Sequence, residues 1–357
     1  MRKILPLLLS PVLSLLAASG GQARVIVGNV NADGLNPGSI NTFADGATGN
    51  VVPLVTIVHG PANPMNTANA VEYEANENVI YVADYAGHAI HVFDANGNGG
   101  ATPLRTLTSS ALTQPRIVRV DRAHEELVAL EGQTRICTWP RLASGAQNPL
   151  RCIPPSTDSG SHSQLMRPDG LALNLARGEI VVGNTEFTSP NNGNILIFDR
   201  SADQFNNTPL RKIAGPATRL GTSVGVRVVV DEQAQLIIAL AGELNPGAAN
   251  TARILVFPAD ADGNVAPLRV IEGNDTGLKL FNNENVTGLG YDEPNRTVLV
   301  TTGWSVSTLQ GRIFGQSVWS NGNALPVFMI TGNQTRLGYR PGTPTATNYR
   351  IFRDGFD

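Results

Sequence analysis

Ile195-Leu196-Ile197-Phe198 and Ile254-Leu255-Val256-Phe257 are apolar at every position. A strand with one wet face alternates apolar and polar residues, so an unbroken run of this length marks a strand covered on both faces. Around the first run the chain cycles through short extended segments and turns. Residues 168–174 read as one strand, Ala176-Arg177-Gly178 as a turn and 179–184 as a second strand. Residues 191–194 read as a loop, 195–199 as a third strand and 209–213 as a fourth. No segment carries convincing helical periodicity, and frequent Gly and Pro break most candidates.

The cycle recurs. Pro-Leu-Arg followed by apolar residues stands at 103–105, 149–151, 209–211 and 267–269, with weaker copies at Pro53-Leu54-Val55 and Pro326-Val327-Phe328. A spacing of 46 to 60 residues between these prolines marks an array of supersecondary units. Four short strands per period, dry on both faces in the middle, predict an all-β fold: a six-bladed β-propeller of four-stranded antiparallel blades. The first blade lacks its inner strand, because residues 25–29 match 180–184, a second strand. Residues 340–346 line up with 167–171 and are predicted to close the ring by pairing with the Val25 strand. Closure removes exposed sheet edges. Pro344 cannot donate to a ladder, so an irregular pairing is expected there. The repeated Arg105, Arg151, Arg211 and Arg269 fall on the outermost strand, where they discourage edge-to-edge association and can pair with carboxylates such as Asp94 and Asp199.

Composition adds compartment and partners. The 357 residues carry a net charge of −3, with no basic stripe to suit nucleic acid. Arg2 and Lys3, the apolar run 4–18 and Gly21-Gln22-Ala23 read as a secretory signal. The expected division is a signal peptide over 1–23, the propeller over 24–350 and a tail over 351–357. The expected product is periplasmic or secreted, monomeric, and without a membrane span once the signal is removed. The two cysteines, Cys137 and Cys152, have an index sum that centres a hairpin turn between Ser144 and Gly145. They would then face each other and form a disulfide in an oxidising compartment. Two unpaired core thiols are the alternative.

Pro168-Asp169-Gly170-Leu171-Ala172-Leu173-Asn174, Val79-Ile80-Tyr81-Val82-Ala83-Asp84 and Ile90-His91-Val92-Phe93-Asp94 together resemble the cadence of NHL-repeat propellers. The resemblance spans most of 24–332 and implies a ring that is usually a binding platform and occasionally an enzyme. The tail Ile351-Phe352-Arg353-Asp354-Gly355-Phe356-Asp357 is similar to a short terminal tag found on some exported bacterial proteins.

Candidate chemistry sits where the repeats differ. Second strands end at Asn29, Asp84, Glu131, Asn184, Ala241 and Thr302, and the positions aligned with Asp169 are Asn69, Arg116, Val226 and Thr287. One face thus presents Asn29, Asn69, Asp84, Arg116, Glu131, Asp169 and Asn184 from blades one to four, and mainly small or apolar groups from five and six. Such residues cap their own turns, or they form a polar ligand site whose oxygens suit Ca2+. Lactonase-type six-bladed propellers carry calcium in the channel. Here Asn69 and Asp169 fit that pattern, while Arg116, Val226 and Thr287 depart from it. His59, His88 and His162 offer zinc-type ligands at unrelated repeat positions, and Asp260-Ala261-Asp262-Gly263-Asn264 reads as a hairpin turn lacking the distal Glu of a calcium loop. The expectation is a binding scaffold recognising a protein, glycan or small ligand through one face. The alternative is a metal-dependent, lactonase-like hydrolase.

Overall fold

The computed structural model describes residues 25–30, 38–187, 192–221, 225–243, 251–280, 284–304 and 311–347. The expected signal segment 1–23 and the tail 351–357 lie outside the described residues. In chain order the strands are β1 (Val25–Asn29), β2 (Ser39–Phe43), β3 (Val55–Val58), β4 (Ala70–Glu74), β5 (Val79–Asp84), β6 (Ala89–Asp94), β7 (Arg105–Thr108), β8 (Pro115–Asp121) and β9 (Glu126–Glu131). There follow β10 (Arg135–Pro140), β11 (Gly145–Ala146), β12 (Arg151–Ile153), β13 (Pro168–Asn174), β14 (Glu179–Glu186), β15 (Asn192–Asp199), β16 (Arg211–Ile213) and β17 (Val226–Asp231). The last are β18 (Leu236–Glu243), β19 (Thr251–Pro258), β20 (Arg269–Ile271), β21 (Glu284–Asp292), β22 (Thr297–Trp304), β23 (Arg312–Ser317), β24 (Phe328–Ile330) and β25 (Pro341–Ala346).

Four sheets are separate and four-stranded: β8-β9-β10-β12, β13-β14-β15-β16, β17-β18-β19-β20 and β21-β22-β23-β24. The remaining nine strands form one sheet, β11-β7-β6-β5-β4-β25-β1-β2-β3. Its two antiparallel runs meet at a single parallel pairing, Thr343 with Ala70. The first strands of successive units pack on one another in a closed circle: β4 on β8, β8 on β13, β13 on β17, β17 on β21, β21 on β25 and β25 on β4. Ile195, Leu196, Ile197 and Phe198 are fully buried, as are Ile254 to Phe257, so the middle strands are dry on both faces.

The Pro-Leu-Arg phrase starts each outer strand. Its Leu amide makes the first ladder bond to the third strand, at 2.7 Å for Leu104, Leu150, Leu210 and Leu268. The proline ahead lacks a donor and sits where none is needed. The arginines find carboxylates, but not Asp94 or Asp199. Arg151 pairs with Glu126 at 2.7 Å, Arg211 with Glu179 at 2.6 Å and Arg105 with Glu77 at 3.7 Å, all near the start of the second strand. Arg269 instead lies over the Trp319 ring.

Neighbouring sheets are also stitched together. The loop before an outer strand reaches over the preceding unit, where its glycine pairs in parallel: Gly49 with Ile330, Gly99 with Ile57, Gly145 with Leu107, Gly263 with Ile213 and Gly322 with Ile271. These glycines take φ between 60° and 75°, a left-handed conformation that disfavours a Cβ. Asn98, Asp262 and Asn321 add a side-chain oxygen that accepts from Thr56, Lys212 and Val270 amides at 3.2, 3.1 and 3.0 Å. The 260–264 loop is therefore one of these stitches.

β25 pairs with β1, Val25 opposite Ala346 and Val27 opposite Pro344, with a register shift between Val27 and Asn29. Pro344 is tolerated because β25 is an inner strand with few ladder bonds on its other edge. Cys137 and Cys152 are directly opposed on β10 and β12 and form a disulfide.

Candidate functional site

The inner strands surround two cavities. At their first residues lies a cavity of about 220 Å³, lined by Arg116, Arg167, Asp169, Arg227, Asn285 and Arg340 among others. At their later residues lies one of about 300 Å³, to which β4, β8, β13, β17, β21 and β25 all contribute.

Backbone irregularity delivers the groups at the first mouth. The ladders shift between Pro115 and Ile117 and between Pro168 and Gly170, so Arg116 and Asp169 are each an extra residue in their strand. A bulge re-aims its side chain out of the ordinary alternation. Asn69 donates to the Arg116 carbonyl at 2.7 Å and so fixes the start of β8 beside β4. Asp169 is buried and is the centre of the charged cluster. Gln133 donates to it at 2.6 Å, Arg116 lies 3.3 Å away and Arg167 3.6 Å away. Gly225, at φ 149°, leaves room for that carboxylate, since a Cβ there would sit 2.7 Å from Asp169 Oδ2.

Among the described residues, four guanidinium groups against one carboxylate leave this mouth strongly positive. Arg227 feels it most. Burial pulls it down to about 10; Asp169 opposes that fall, and the cations of Arg116, Arg340 and Arg167 deepen it. Among the described residues, neither the Arg227 nor the Arg340 side chain has a hydrogen bond or ion pair. The Nε of Arg167 is buried without a hydrogen-bond partner.

The other mouth has the opposite character. Glu72, Glu232 and Glu293 line it with a single arginine, Arg119. Arg119 bonds Glu72 at 3.0 Å and the Leu171 carbonyl at 3.0 Å. Burial nevertheless raises Glu72 above the usual carboxylate range, with Arg119 opposing.

The sequence-derived residues thus separate into two groups. Arg116 and Asp169 line the positive cavity, and Asn69 braces it. Asn29, Asp84, Glu131 and Asn184 are buried and bonded to the loop that feeds an inner strand. Asp84 accepts from the Asn66 and Thr67 amides at 2.8 and 2.7 Å, and Asn184 from the Met166 and Arg167 amides at 3.0 Å each. Glu131 accepts from the Thr113 amide at 2.7 Å and also from Gln114, while Asn29 accepts from Gly338 at 3.1 Å. Three of these loops lie 18 residues upstream of their acceptor. The four residues hold the rim of the mouth in shape.

Sequence reasoning missed Arg167, Arg227 and Arg340. Arg167 and Arg340 both precede the proline that opens an inner strand, a visible repetition of Arg-Pro. Arg227 is hidden by a missing bulge. β17 pairs regularly from Val226 opposite Ala241 and Arg227 opposite Leu240, so it has no residue equivalent to Asp169. Val226 turns into the core, and the fifth unit contributes its polar group one residue later.

These groups do not fit a divalent cation. Among the described residues the one carboxylate lining the mouth is engaged by Gln133, Arg116 and Arg167, and the remaining charges would repel the metal. Among the described residues no group of three or more His, Cys, Asp or Glu is arranged to hold an ion, and His59, His88 and His162 are not brought together. His59 instead contacts the Met65 carbonyl at 3.1 Å, and His88 the Thr113 carbonyl. No helix among the described residues is long and apolar enough to cross a membrane.

A chain in a solved structure of a nidogen/laminin complex is similar to this one, with TM-score 0.55 and 12% identity over 91% of this chain and 98% of that chain. The likeness shows the fold: all-β, a propeller arrangement of antiparallel four-stranded blades. No family model matches the chain, and no curated protein does.

Proposed function

We propose that this chain is an exported, monomeric, six-bladed binding propeller of NHL-like type, and that its ligand enters the mouth lined by Arg116, Asp169, Arg227 and Arg340. The observation that carries the reading is convergence: groups from β8, β13, β17 and β21 and from the residue preceding β25, far apart in sequence, meet on one cavity. Ligand sites of ring-shaped folds gather a few polar groups in this way. The count of six rests on reading the nine-stranded sheet as two blades, β4-β5-β6-β7 and β25-β1-β2-β3, joined at Thr343 and Ala70, with β11 as the stitch from the next unit. The disulfide supports an oxidising compartment. The solved complex offers an analogy of fold, with protein binding as its expected use. A metal-dependent hydrolase is disfavoured, because arginines stand where oxygen ligands would be needed.

Thr251 borders the cavity, and Thr251→Trp would plug it. The wild-type protein should retain a compound from a native envelope extract, read by native mass spectrometry. Thr251→Trp should lose it, whereas Leu175→Trp at the opposite mouth should keep it. Equal retention by wild type and the plugged variant would sink the reading.

A further inference from the structure

We infer that the positive mouth is a receptor for a small oxyanion, a carboxylate or phosphate group gripped between Arg227 and Arg340. The inference rests on the mouth being the ligand site and adds the chemistry of what fills it.

The first argument is the treatment of charge across the molecule. Arg119, Arg141, Arg151, Arg211, Arg296 and Arg312 each have a carboxylate partner within 3.0 Å. Arg227, half-buried, and Arg340, exposed at the rim, have none among the described residues, although both line this cavity. A cation drawn out of water, as Arg227 is, normally carries a counter-charge, because leaving it bare is costly. Arg227 is not merely bare, since it lies within electrostatic reach of Arg116, Arg167 and Arg340. Among the described residues Asp169 is the only acid that lines the cavity, and it is already divided between Arg116 and Arg167. The cluster is one or more negative charges short of balance.

The second argument is the donor left over. Arg167 Nε faces Asp169 Oδ2 at 3.6 Å, beyond hydrogen-bond length, and is buried with no hydrogen-bond partner; Arg105, Arg151 and Arg269 have such a nitrogen too, but only Arg167 has it at this cavity. A buried donor gains from an acceptor, and here the open cavity can bring one to it. An oxyanion supplies several acceptor lone pairs, and the planar fork of Arg matches carboxylate and phosphate edges two bonds at a time.

The third argument is direction. The two ends of the channel carry opposite signs, arginines at one and Glu72, Glu232 and Glu293 at the other. A field of that shape draws an anion to the first mouth and repels it from the second. The volume of about 220 Å³ admits a compact ligand such as a dicarboxylate or a phosphorylated group, and excludes a bulky one.

The test is titration calorimetry at low ionic strength with succinate, citrate, inorganic phosphate and, as an uncharged control, glycerol. At least one anion should bind while glycerol does not, and the preference between the carboxylates and phosphate identifies the class. Arg227→Gln should weaken binding at least tenfold, and Arg340→Gln should weaken it further. Arg227→Lys keeps the charge but lacks the fork, and should give an intermediate loss. Arg269→Gln, on an outer strand, should leave the affinity unchanged and so separates a built site from general attraction. Binding should weaken with added salt. No binding of any anion, or equal binding by wild type and Arg227→Gln, overturns the inference. If no anion binds but Thr251→Trp still abolishes retention of the extracted compound, the mouth remains the site and only the anion assignment falls.

Discussion

Arg227→Gln should make the ligand-free protein more stable, not less. The fall of the Arg227 pKa from the ordinary arginine range to about 10 reflects burial first; Asp169 opposes it, and the cations of Arg116, Arg340 and Arg167 add to it. At about 1.4 kcal/mol per pH unit, that is roughly 3 kcal/mol of unfavourable free energy for holding the charge in place. The sign follows from linkage. A base whose folded pKa is lowered binds its proton less well when folded, so the penalty is complete below pH 10 and fades only as pH rises toward the unfolded value. At neutral pH all of it is present. The cavity admits solvent, which screens part of the repulsion, and glutamine still has to be desolvated; a net gain of about 1–2 kcal/mol is expected. For the ~290 described residues the unfolding entropy is about 0.6 kcal/mol/K, so the melting temperature should rise by about 2 °C. The assay is thermal unfolding of wild type and variant in dilute, non-coordinating buffer. High salt should shrink the difference, because added ions screen the wild-type repulsion. A melting temperature lowered by 2 °C or more would mean that Arg227 has a stabilising partner, and the picture of an unbalanced cluster would be wrong.

Other consequences are independent of the ligand. Replacing Cys137 and Cys152 by Ser, or reducing the bond, should cost about 3 kcal/mol, read by denaturant melts with and without reductant. Deleting residues 341–347 removes β25 from β1 and should lower the melting temperature by on the order of 10 °C; an unchanged melt would refute closure. Gly263→Ala meets no atom within 4 Å, so its cost should come from φ 69° alone, about 1 kcal/mol by chemical denaturation. Asp84 is held below the usual carboxylate range: burial raises it, but His91 and the amides of Asn66, Thr67 and Gly87 outweigh that effect. Its stabilisation is present above the unfolded pKa and is lost as pH falls through the lower folded value. Asp84→Asn should therefore flatten the stability profile below pH ~4, a range set by the usual Asp value. Asn184 already plays the equivalent part in its own blade.

Strands were readable where side chains report burial directly. Ile195 to Phe198 announces a doubly covered strand, and the index sum of Cys137 and Cys152 names a register that the pairing reproduces. The return of β25 to β1 was readable because Arg340-Pro341 repeats Arg167-Pro168. The site was harder, for a geometric reason. Whether a residue faces the channel depends on bulges that displace Arg116 and Asp169 but leave β17 regular, and a one-residue bulge writes no signature in composition. The partners of the repeated arginines were missed because antiparallel pairing places Arg151 beside Glu126 and Arg211 beside Glu179, not beside the aspartates that end the third strands.

The pairing of β25 with β1 orders events in time. Apart from the contacts that this same segment makes with β4 and the Gly49–Ile330 bridge, the described sheet pairings join segments close together along the chain, so each can form as its own segment becomes available. The closing contact instead joins residues such as Gly338 and Asn29, 309 positions apart. Loop closure over that span costs about 5 kcal/mol, against about 3.5 for a 50-residue span. Until the last strand arrives, β1 keeps an open edge and the first and last units lack their shared stitch, Gly49 to Ile330. A chain cut short anywhere before residue 341 therefore carries an exposed strand edge. That edge distinguishes an unfinished molecule from a finished one, in a form that proteases and chaperones can read.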